Sequence, residues 1–158
     1  IATITNGGYN NKLTLINNVK DYNNSKTIYK PERTSSRMTL KNYDHLNSLK
    51  RGMLRVSKVG TGRRTFASLP LDVGSKTGTA EKDGRIPGTN EKYDNFGWFV
   101  AFGPYENPEI AVASVVFQGG SGGNAGPMSR DIIAEYLGLN DEPKEVKEEL
   151  PFENKLKQ

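Results

Sequence analysis

The sequence has no cysteine and a single histidine, His45, among its 158 residues. A chain without cysteine forms neither a disulfide framework nor a thiolate metal site, and it is compatible with an extracytoplasmic compartment. One histidine also excludes metal sites built from several imidazoles. No run of 18 apolar residues is present, so no segment of this sequence is predicted to span a membrane.

The sequence also lacks the serine patterns of one large group of acyl-transfer enzymes. None of its ten serines is followed by lysine three residues later, and none by asparagine two residues later. A Ser-x-x-Lys pair places a nucleophile beside a basic side chain, and a second serine motif completes such sites. The chain alone is therefore predicted not to form an acyl-serine.

Two other motifs that could carry chemistry are incomplete. Gly119–Gly123 matches the Gly-x-Ser-x-Gly nucleophile elbow, but that elbow needs an acid and then a histidine downstream, whereas His45 lies upstream. Ser75-Lys76-Thr77 resembles the end of a phosphate-binding loop, yet Ser75 stands where that loop requires glycine. We interpret the first as a flexible glycine loop and exclude nucleotide binding for the second.

The composition is sufficient for one ordinary domain, with 34% hydrophobic residues and 17 glycines. The formal net charge is +4, but residues 141–158 hold six acids and four lysines, so the preceding residues carry about +6. A basic body favours anionic partners. Because no block of Lys and Arg is interleaved with aromatic residues, we expect no nucleic-acid partner.

Apolar spacing and turn residues predict the main elements. Residues 1–8 resemble a helix end closed by glycines, and 9–30 are predicted as extended pieces and turns. A helix is expected over 42–59, with apolar residues at helical spacing, and another over 127–137, with Ile132, Ile133, Tyr136 and Leu137 as its buried stripe. Strands are expected over 73–81, 96–102 and 109–118, with a long hairpin loop over 82–95. The last two strands are apolar on successive positions, so we expect both faces to be covered and Trp98 to lie in the core.

The most informative stretch is Ser-Lys-Thr-Gly-Thr-Ala-Glu, residues 75–81. Because side chains alternate along a strand, Thr77 and Thr79 share one face, while Lys76 and Gly78 share the other. Two hydroxyls about 6–7 Å apart can donate to one carboxylate, and Lys76 adds positive potential. Gly78 lets a substrate backbone approach, and a free N–H on such an edge, for instance that of Thr79, can donate to an oxyanion.

The features around this motif follow a familiar order. The segment VGSKTGTAE is preceded by a helix with Gly-Met (LKRGMLRVSKVGTG) and then by Phe66 and Leu69-Pro70. It is followed by an aromatic strand, a strand ending in Gly-Gly and a terminal helix. The sequence closely resembles the C-terminal part of the transpeptidase domain of class B penicillin-binding proteins. The resemblance covers roughly residues 1–139, and residues 10–40 are its least distinctive part. It implies an α/β (α+β) fold with an antiparallel sheet flanked by helices.

The resemblance also implies roles for individual residues. Lys76 would bond to a serine of the second active-site motif, and Thr77 and Thr79 would bind the carboxylate of the substrate or of a β-lactam. The N–H of Thr79 would complete the oxyanion hole, and Gly78 would keep the strand edge open. Ser75, on the same strand, is also expected to contact the substrate. The loop containing Gly120, Ser121 and Gly122 would rim the cleft. Neither a metal nor an organic cofactor is implied.

The predicted organisation is a transpeptidase portion over 1–139 and a charged, flexible tail over 140–158. Both missing serine motifs would lie upstream, in the same or a companion chain, and the isolated 158 residues would fold poorly because a strand edge stays uncovered. Expected partners are stem peptides, β-lactams and a membrane glycosyltransferase, at the extracytoplasmic face of the bacterial membrane, with an N-terminal anchor outside this chain. The alternative is a non-catalytic module that senses wall peptides or β-lactams.

A basic stretch over 50–64 leaves two interpretations open. It contains six cations, and the simpler interpretation is a solvated helix face. The other interpretation is a docking surface for anionic wall polymer. The cations are Lys50, Arg51, Arg55, Lys58, Arg63 and Arg64.

Overall fold

The computed structural model describes residues 1–139, and the tail predicted for 140–158 lies outside them. Four α-helices and seven strands are found in this range. In chain order they are α1 (Ala2–Thr5), β1 (Tyr9–Asn11), β2 (Val19–Lys20), β3 (Thr27–Tyr29), β4 (Ser35–Arg37), α2 (Asp44–Val59), α3 (Arg63–Phe66), β5 (Gly74–Ala80), β6 (Phe96–Gly103), β7 (Ile110–Val116) and α4 (Gly126–Tyr136), with a 3₁₀ turn at Gly122–Ala125 just before α4.

The centre of the fold is a three-stranded antiparallel sheet in the order β5-β6-β7. Its register pairs Lys76 with Val100 and Gly78 with Trp98, so these four side-chain positions share one face. The predicted mixed fold, an antiparallel sheet with helices, is confirmed. Among residues 1–139, β5 is an edge strand, which leaves one side of its backbone without a strand partner.

One face of the sheet carries the hydrophobic core. Phe99 and Ala101 of β6 are fully buried and pack with Val112 of β7 and Ile133 of α4. Phe66 of α3 joins them, with its ring centroid 5.9 Å from that of Phe99. Removing such side chains from water stabilises the fold by about 1.5–3 kcal/mol each. The core therefore fixes α3 and α4 on the same side of the sheet.

The opposite face is only partly covered. Two predictions are therefore wrong, namely that both faces of the sheet are covered and that Trp98 lies in the core. Trp98 is 44% exposed and Phe117 71% exposed, so Trp98 does not lie in the core. Ala111 and Ala113 of β7 are exposed on the same face. The physical reason is that α2 packs chiefly along β5, whereas α4, the long helix that contacts β6 and β7, lies on the core side of the sheet.

The two long helices occur where the sequence predicts them. In α2, Leu46 and Met53 are buried, and Asp44 lies in the first turn, where its charge favours the helix dipole. In α4 the predicted stripe is wrong in part, because Ile132 and Tyr136 are exposed. The helix instead packs a narrower face of smaller residues against the sheet. That face comprises Gly126, Ser129, Ile133 and Ala134.

Residues 9–41 form an arm built from two separate two-stranded ladders, β1 with β4 and β2 with β3. This agrees with the extended pieces and turns predicted for its first part. No residue of the arm is buried. None of the helices within residues 1–139 is both long enough and apolar enough to cross a membrane.

Candidate active site

Three hydroxyl side chains of β5 point to one face of the strand, and each is hydrogen-bonded to a different neighbouring segment. Ser75 contacts α2, Thr77 contacts the connection between α2 and α3, and Thr79 contacts the 3₁₀ turn before α4. The alternation of side chains along the strand places all three in one row. Burial falls along that row, from the fully buried Ser75 through the half-buried Thr77 to the exposed Thr79.

Ser75 anchors the strand and does not face the cleft. Its Oγ lies 2.7 Å from Oγ of Ser57 in α2, and both side chains are buried. Gly62 lies so close that a Cβ there would meet the Ser75 hydroxyl at 2.6 Å. The prediction that Ser75 contacts the substrate therefore needs correction. A fully buried hydroxyl that already has a partner is not accessible to a ligand.

Thr77 and Thr79 remain accessible and are oriented by their neighbours. Oγ1 of Thr77 lies 3.1 Å from Oγ1 of Thr61. Oγ1 of Thr79 accepts a hydrogen bond of 3.2 Å from the backbone N–H of Gly122. Since an N–H can only donate, Thr79 must use a lone pair here, and its own proton stays available for a ligand.

Lys76 lies on the other face of β5, at the wall of an open apolar groove. The groove has a volume of about 900 Å³ and lies between α1, α2 and the sheet. Nζ of Lys76 donates a hydrogen bond to the backbone oxygen of Thr77. The two ion pairs found within residues 1–139 do not include Lys76, so no described carboxylate neutralises it. The groove is lined by Ile1, Ile4, His45, Ser48, Leu49, Gly52, Met53, Val56, Lys76 and Val100.

Gly78 and Gly122 come into close backbone contact. A Cβ on Gly122 would meet the backbone oxygen of Gly78 at 2.3 Å and its nitrogen at 2.8 Å. This closeness brings the N–H of Gly122 to Thr79. Of the three predicted rim residues, Gly122 therefore lies directly against β5. Gly120 adopts a positive φ of 69°, and Ser121 caps the 3₁₀ turn through its hydroxyl.

The remaining candidates lie apart from this row. The single histidine, His45, is exposed in α2, and the two carboxylates nearest to the Lys-Thr-Gly motif in the sequence, Glu81 and Asp83, are exposed near the loop between β5 and β6. Lys82 in that loop lies over the ring of Tyr93, with Nζ 3.9 Å from the ring centroid. No group of three or more His, Cys, Asp or Glu side chains within residues 1–139 is arranged to hold a metal ion.

The basic stretch is compatible with both of its interpretations. Arg51, Arg55, Arg63 and Arg64 are exposed, and Lys58 pairs with Asp72. Lys50 is half-buried, with Nζ 5.5 Å from the centroid of a tyrosine ring. The docking surface stays a prediction.

Thr61 is the site residue that the sequence reasoning missed. It lies 16 positions before Thr77, and no local spacing links the two. The available signal was Gly60-Thr61-Gly62, a hydroxyl between two glycines at the end of a helix. Glycines on both sides allow a close turn, which brings the threonine against β5.

Comparison with known proteins agrees with this geometry. The sequence model of one protein family, the penicillin-binding protein transpeptidase domain, matches residues 1–134. Peptidoglycan D,D-transpeptidase MrdA of Haemophilus influenzae is 37% identical over 100 residues, which cover 56% of this chain and 15% of that protein. Penicillin-binding protein 2A of Bacillus subtilis is 33% identical over 127 residues, covering 73% of this chain and 17% of that protein.

Solved structures give the same result. Penicillin-binding protein A of Mycobacterium tuberculosis, in an imipenem acyl-enzyme complex, matches with a TM-score of 0.70 and 28% identity, over 86% of this chain and 28% of that one. The D,D-transpeptidase domain of a peptidoglycan glycosyltransferase from Eggerthella lenta matches with a TM-score of 0.67 and 27% identity, over 87% of this chain and 30% of that one.

The sheet and its flanking helices have the fold of a penicillin-binding transpeptidase domain. Because the family model covers most of the chain, the chain belongs to the penicillin-binding protein transpeptidase domain family. The predicted resemblance is thereby confirmed. The chain spans only 15–17% of the length of the curated relatives described above.

Proposed function

We propose that residues 1–139 are the C-terminal portion of the transpeptidase domain of a peptidoglycan D,D-transpeptidase. The observation that carries this proposal is the accessible edge strand β5, with two hydroxyls on one face and an unneutralised lysine on the other. In the complete protein an active-site serine attacks the carbonyl of the penultimate D-Ala, and the peptide bond to the terminal D-Ala breaks. An amine of a neighbouring strand then displaces the serine.

This chain would supply the substrate-holding side of that site. Thr77 and Thr79 donate hydrogen bonds to the terminal carboxylate, and Lys76 provides the positive potential that favours it. The backbone N–H of Thr79 stabilises the oxyanion, a contribution of about 3 kcal/mol for one such donor. Gly78 leaves the strand edge open to the substrate backbone. The loop of Gly120, Ser121 and Gly122 closes one side of the cleft.

The upstream part of the domain would cover the groove beside Lys76. Leu49 is 53% exposed and Trp98 44% exposed on the uncovered side of the sheet. Exposed apolar residues next to one another mark surfaces that another part of a protein covers. We therefore expect the isolated 158 residues to unfold without a sharp cooperative transition. A sharp melt of the isolated chain would contradict this part of the proposal.

Ligands and partners follow from the same assignment. β-Lactams carry a carboxylate next to a reactive amide, and the Mycobacterium relative forms an acyl-enzyme with imipenem. The Eggerthella structure is named the D,D-transpeptidase domain of a peptidoglycan glycosyltransferase, so cross-linking and glycan polymerisation are associated in that name. A membrane glycosyltransferase is the partner that we propose for the complete protein. The complete protein would act at the extracytoplasmic face of the bacterial membrane, held by an N-terminal segment outside this chain.

Intact-mass spectrometry of the complete protein after incubation with a penicillin tests the enzyme assignment. We expect one added penicillin mass, lost when the upstream nucleophilic serine is replaced by alanine. A complete protein that gains no mass under conditions where a known relative is fully acylated would contradict the enzyme proposal.

The second candidate is a non-catalytic module that senses wall peptides or β-lactams. It requires that the complete protein, like these 158 residues, contain neither Ser-x-x-Lys nor Ser-x-Asn. The two candidates differ in a simple way. A sensor binds a penicillin reversibly and releases it intact on dilution, whereas the enzyme retains it as an ester.

A further inference from the structure

Two hydrogen bonds in the hydroxyl row of β5 differ in whether their donor is fixed by chemistry. Thr79 must accept from Gly122, because a backbone N–H has no lone pair to offer. The pair of Thr61 and Thr77 has no such constraint, since either hydroxyl can donate. Only one of the two arrangements leaves the proton of Thr77 free for an incoming carboxylate.

We propose that Thr61 is a positioning residue that donates its proton to Thr77 and so directs the proton of Thr77 toward the carboxylate of the substrate. The inference rests on the proposed function, since it assumes that β5 binds a carboxylate. It makes Thr77 and Thr79 equivalent. Each hydroxyl accepts one hydrogen bond from the protein and donates one to the ligand.

Electrostatics favours this direction of the hydrogen bond. If Thr77 donated to Thr61, the ligand carboxylate would face a lone pair of Thr77, and the two negative groups would repel. With Thr61 as donor, the chain Thr61 to Thr77 to carboxylate runs in one direction, and each hydrogen bond polarises the next. A carboxylate acceptor gains most from such polarisation, because hydrogen bonds to ionised groups are the stronger ones.

The turn that carries Thr61 is fixed independently of any ligand. The N–H of Gly62 donates to the carbonyl of Val56 at 3.0 Å, and that of Arg63 donates to the carbonyl of Gly60 at 3.1 Å. A Cβ on Gly62 would lie 2.6 Å from the Ser75 hydroxyl, so the turn fits closely against β5. Thr61 itself is exposed and belongs to no packed core. Its hydroxyl can therefore be removed with little effect on folding.

The test uses the complete protein with Thr61→Val, which keeps the shape and removes the hydroxyl, and Thr61→Ser, which restores it. The second-order rate constant of acylation is measured for a penicillin as the free acid and as its methyl ester. We expect Thr61→Val to lower the rate constant for the acid about fivefold, the loss of one hydrogen bond. The ester should be unaffected, Thr61→Ser should recover the rate, and the melting temperature should not change. An equal effect on acid and ester would overturn the proposal.

A double-mutant cycle with Thr77→Val separates positioning from direct binding. If Thr61 acts through Thr77, the variant lacking both hydroxyls reacts with the acid no more slowly than Thr77→Val alone. If Thr61 binds the carboxylate itself, the two losses multiply, and the proposal is wrong.

Failure of the proposed function can be distinguished from failure of this inference. A complete protein that forms no acyl adduct with either compound contradicts the enzyme assignment alone. The inference is then decided by equilibrium binding of N-acetyl-D-Ala-D-Ala and of its C-terminal amide. Thr61→Val should weaken binding of the carboxylate form about fivefold and leave the amide unchanged. No binding of either form, or equal losses, would overturn it.

Discussion

Two regions of the molecule are stabilised by different interactions. The sheet-and-helix body, residues 42–139, has a buried hydrophobic core, and the arm, residues 9–41, has none. The body encloses Phe99, Phe102 and Ile133 completely, whereas the arm buries no residue. The arm depends on short ladders and turns, and Leu15 and Tyr22 are almost fully exposed. Its attachment to the body includes Arg37, whose guanidinium lies 4.3 Å from the ring centroid of Tyr43.

The difference explains why the candidate site is found in the body. Binding a carboxylate with two hydroxyls requires both to be held within a fraction of an ångström. The three hydroxyls of β5 are hydrogen-bonded to a helix, a glycine turn and a 3₁₀ turn, and all three of these segments belong to the body. Two-stranded ladders without a packed face are only marginally stable, so the arm could not provide that precision.

The largest expected contrast concerns stability. In the complete protein, Phe99→Ala should lower the free energy of unfolding by about 3–5 kcal/mol, because it leaves a cavity in the core. Leu15→Ala in the arm should change it by less than about 0.5 kcal/mol. Denaturant unfolding of the two variants gives both values. Equal losses would show that the arm is buried against another part of the protein.

Removing a positive charge should slow penicillin acylation when the charge lies in the body, and should leave the rate unchanged when it lies in the arm. Lys76→Gln is expected to lower the rate of penicillin acylation about 10²–10³-fold, the effect of losing one preorganised group at a reacting centre. Lys30→Gln, an exposed arm residue, serves as the matched control and should leave the rate unchanged. Stopped-flow acylation kinetics measure both. Comparable rates for the two variants would contradict the role given to Lys76.

Two neighbouring glycines provide a sharper comparison within the body. A methyl group on Gly122 would collide with the backbone of Gly78, whereas one on Gly123 would meet only the Ser121 hydroxyl, at 3.8 Å. We expect Gly122→Ala to cost about 1–3 kcal/mol of stability and to slow acylation, because β5 must move. Gly123→Ala should be tolerated. Thermal melts and acylation rates of the two variants test this difference. Identical values for both variants would mean that the loop shifts to make room for the methyl group while β5 keeps its position.

The smallest effect is expected in the turn of the arm. Hydrogen bonds from the Ser25 hydroxyl and from the backbone of Lys26 lower the pKa of Asp21 below its usual value. Because these hydrogen bonds favour the ionised carboxylate, they stabilise the folded turn at pH values above the pKa of Asp21 in the unfolded chain. This stabilisation is lost as the pH falls through the lower pKa of the folded state. Asp21→Asn should therefore speed amide exchange at Ser25 and Lys26 near neutral pH and leave acylation unchanged. A change in acylation would link the arm to the site.

Local sequence patterns predict the elements of the body well but not what covers them. The spacing of Leu46 and Met53 indicates α2, and turn residues indicate the strands. The sequence predicts a core position for Trp98 from the apolar run of its strand and a buried position for Tyr136 from helical spacing, yet both are exposed. Burial depends on which element packs opposite, and a residue's own hydrophobicity does not carry that information.

In the candidate site, too, local patterns predict some features and tertiary contacts decide the others. Alternation along β5 places Thr77 and Thr79 on one face, as the sequence predicts. Ser75 follows the same alternation, but contact with Ser57 buries it. The partnership of Thr61 with Thr77 joins residues 16 positions apart through a tertiary contact, so it could be found only in the structure.

The central claim is that β5 binds the carboxylate of the substrate. A crystal structure of the complete protein acylated by a penicillin tests it most directly. We expect the penicillin carboxylate to accept hydrogen bonds from Thr77 and Thr79, with Oγ1 to carboxylate oxygen distances of about 2.7 Å. A carboxylate bound away from both hydroxyls, with β5 unchanged, would contradict the account.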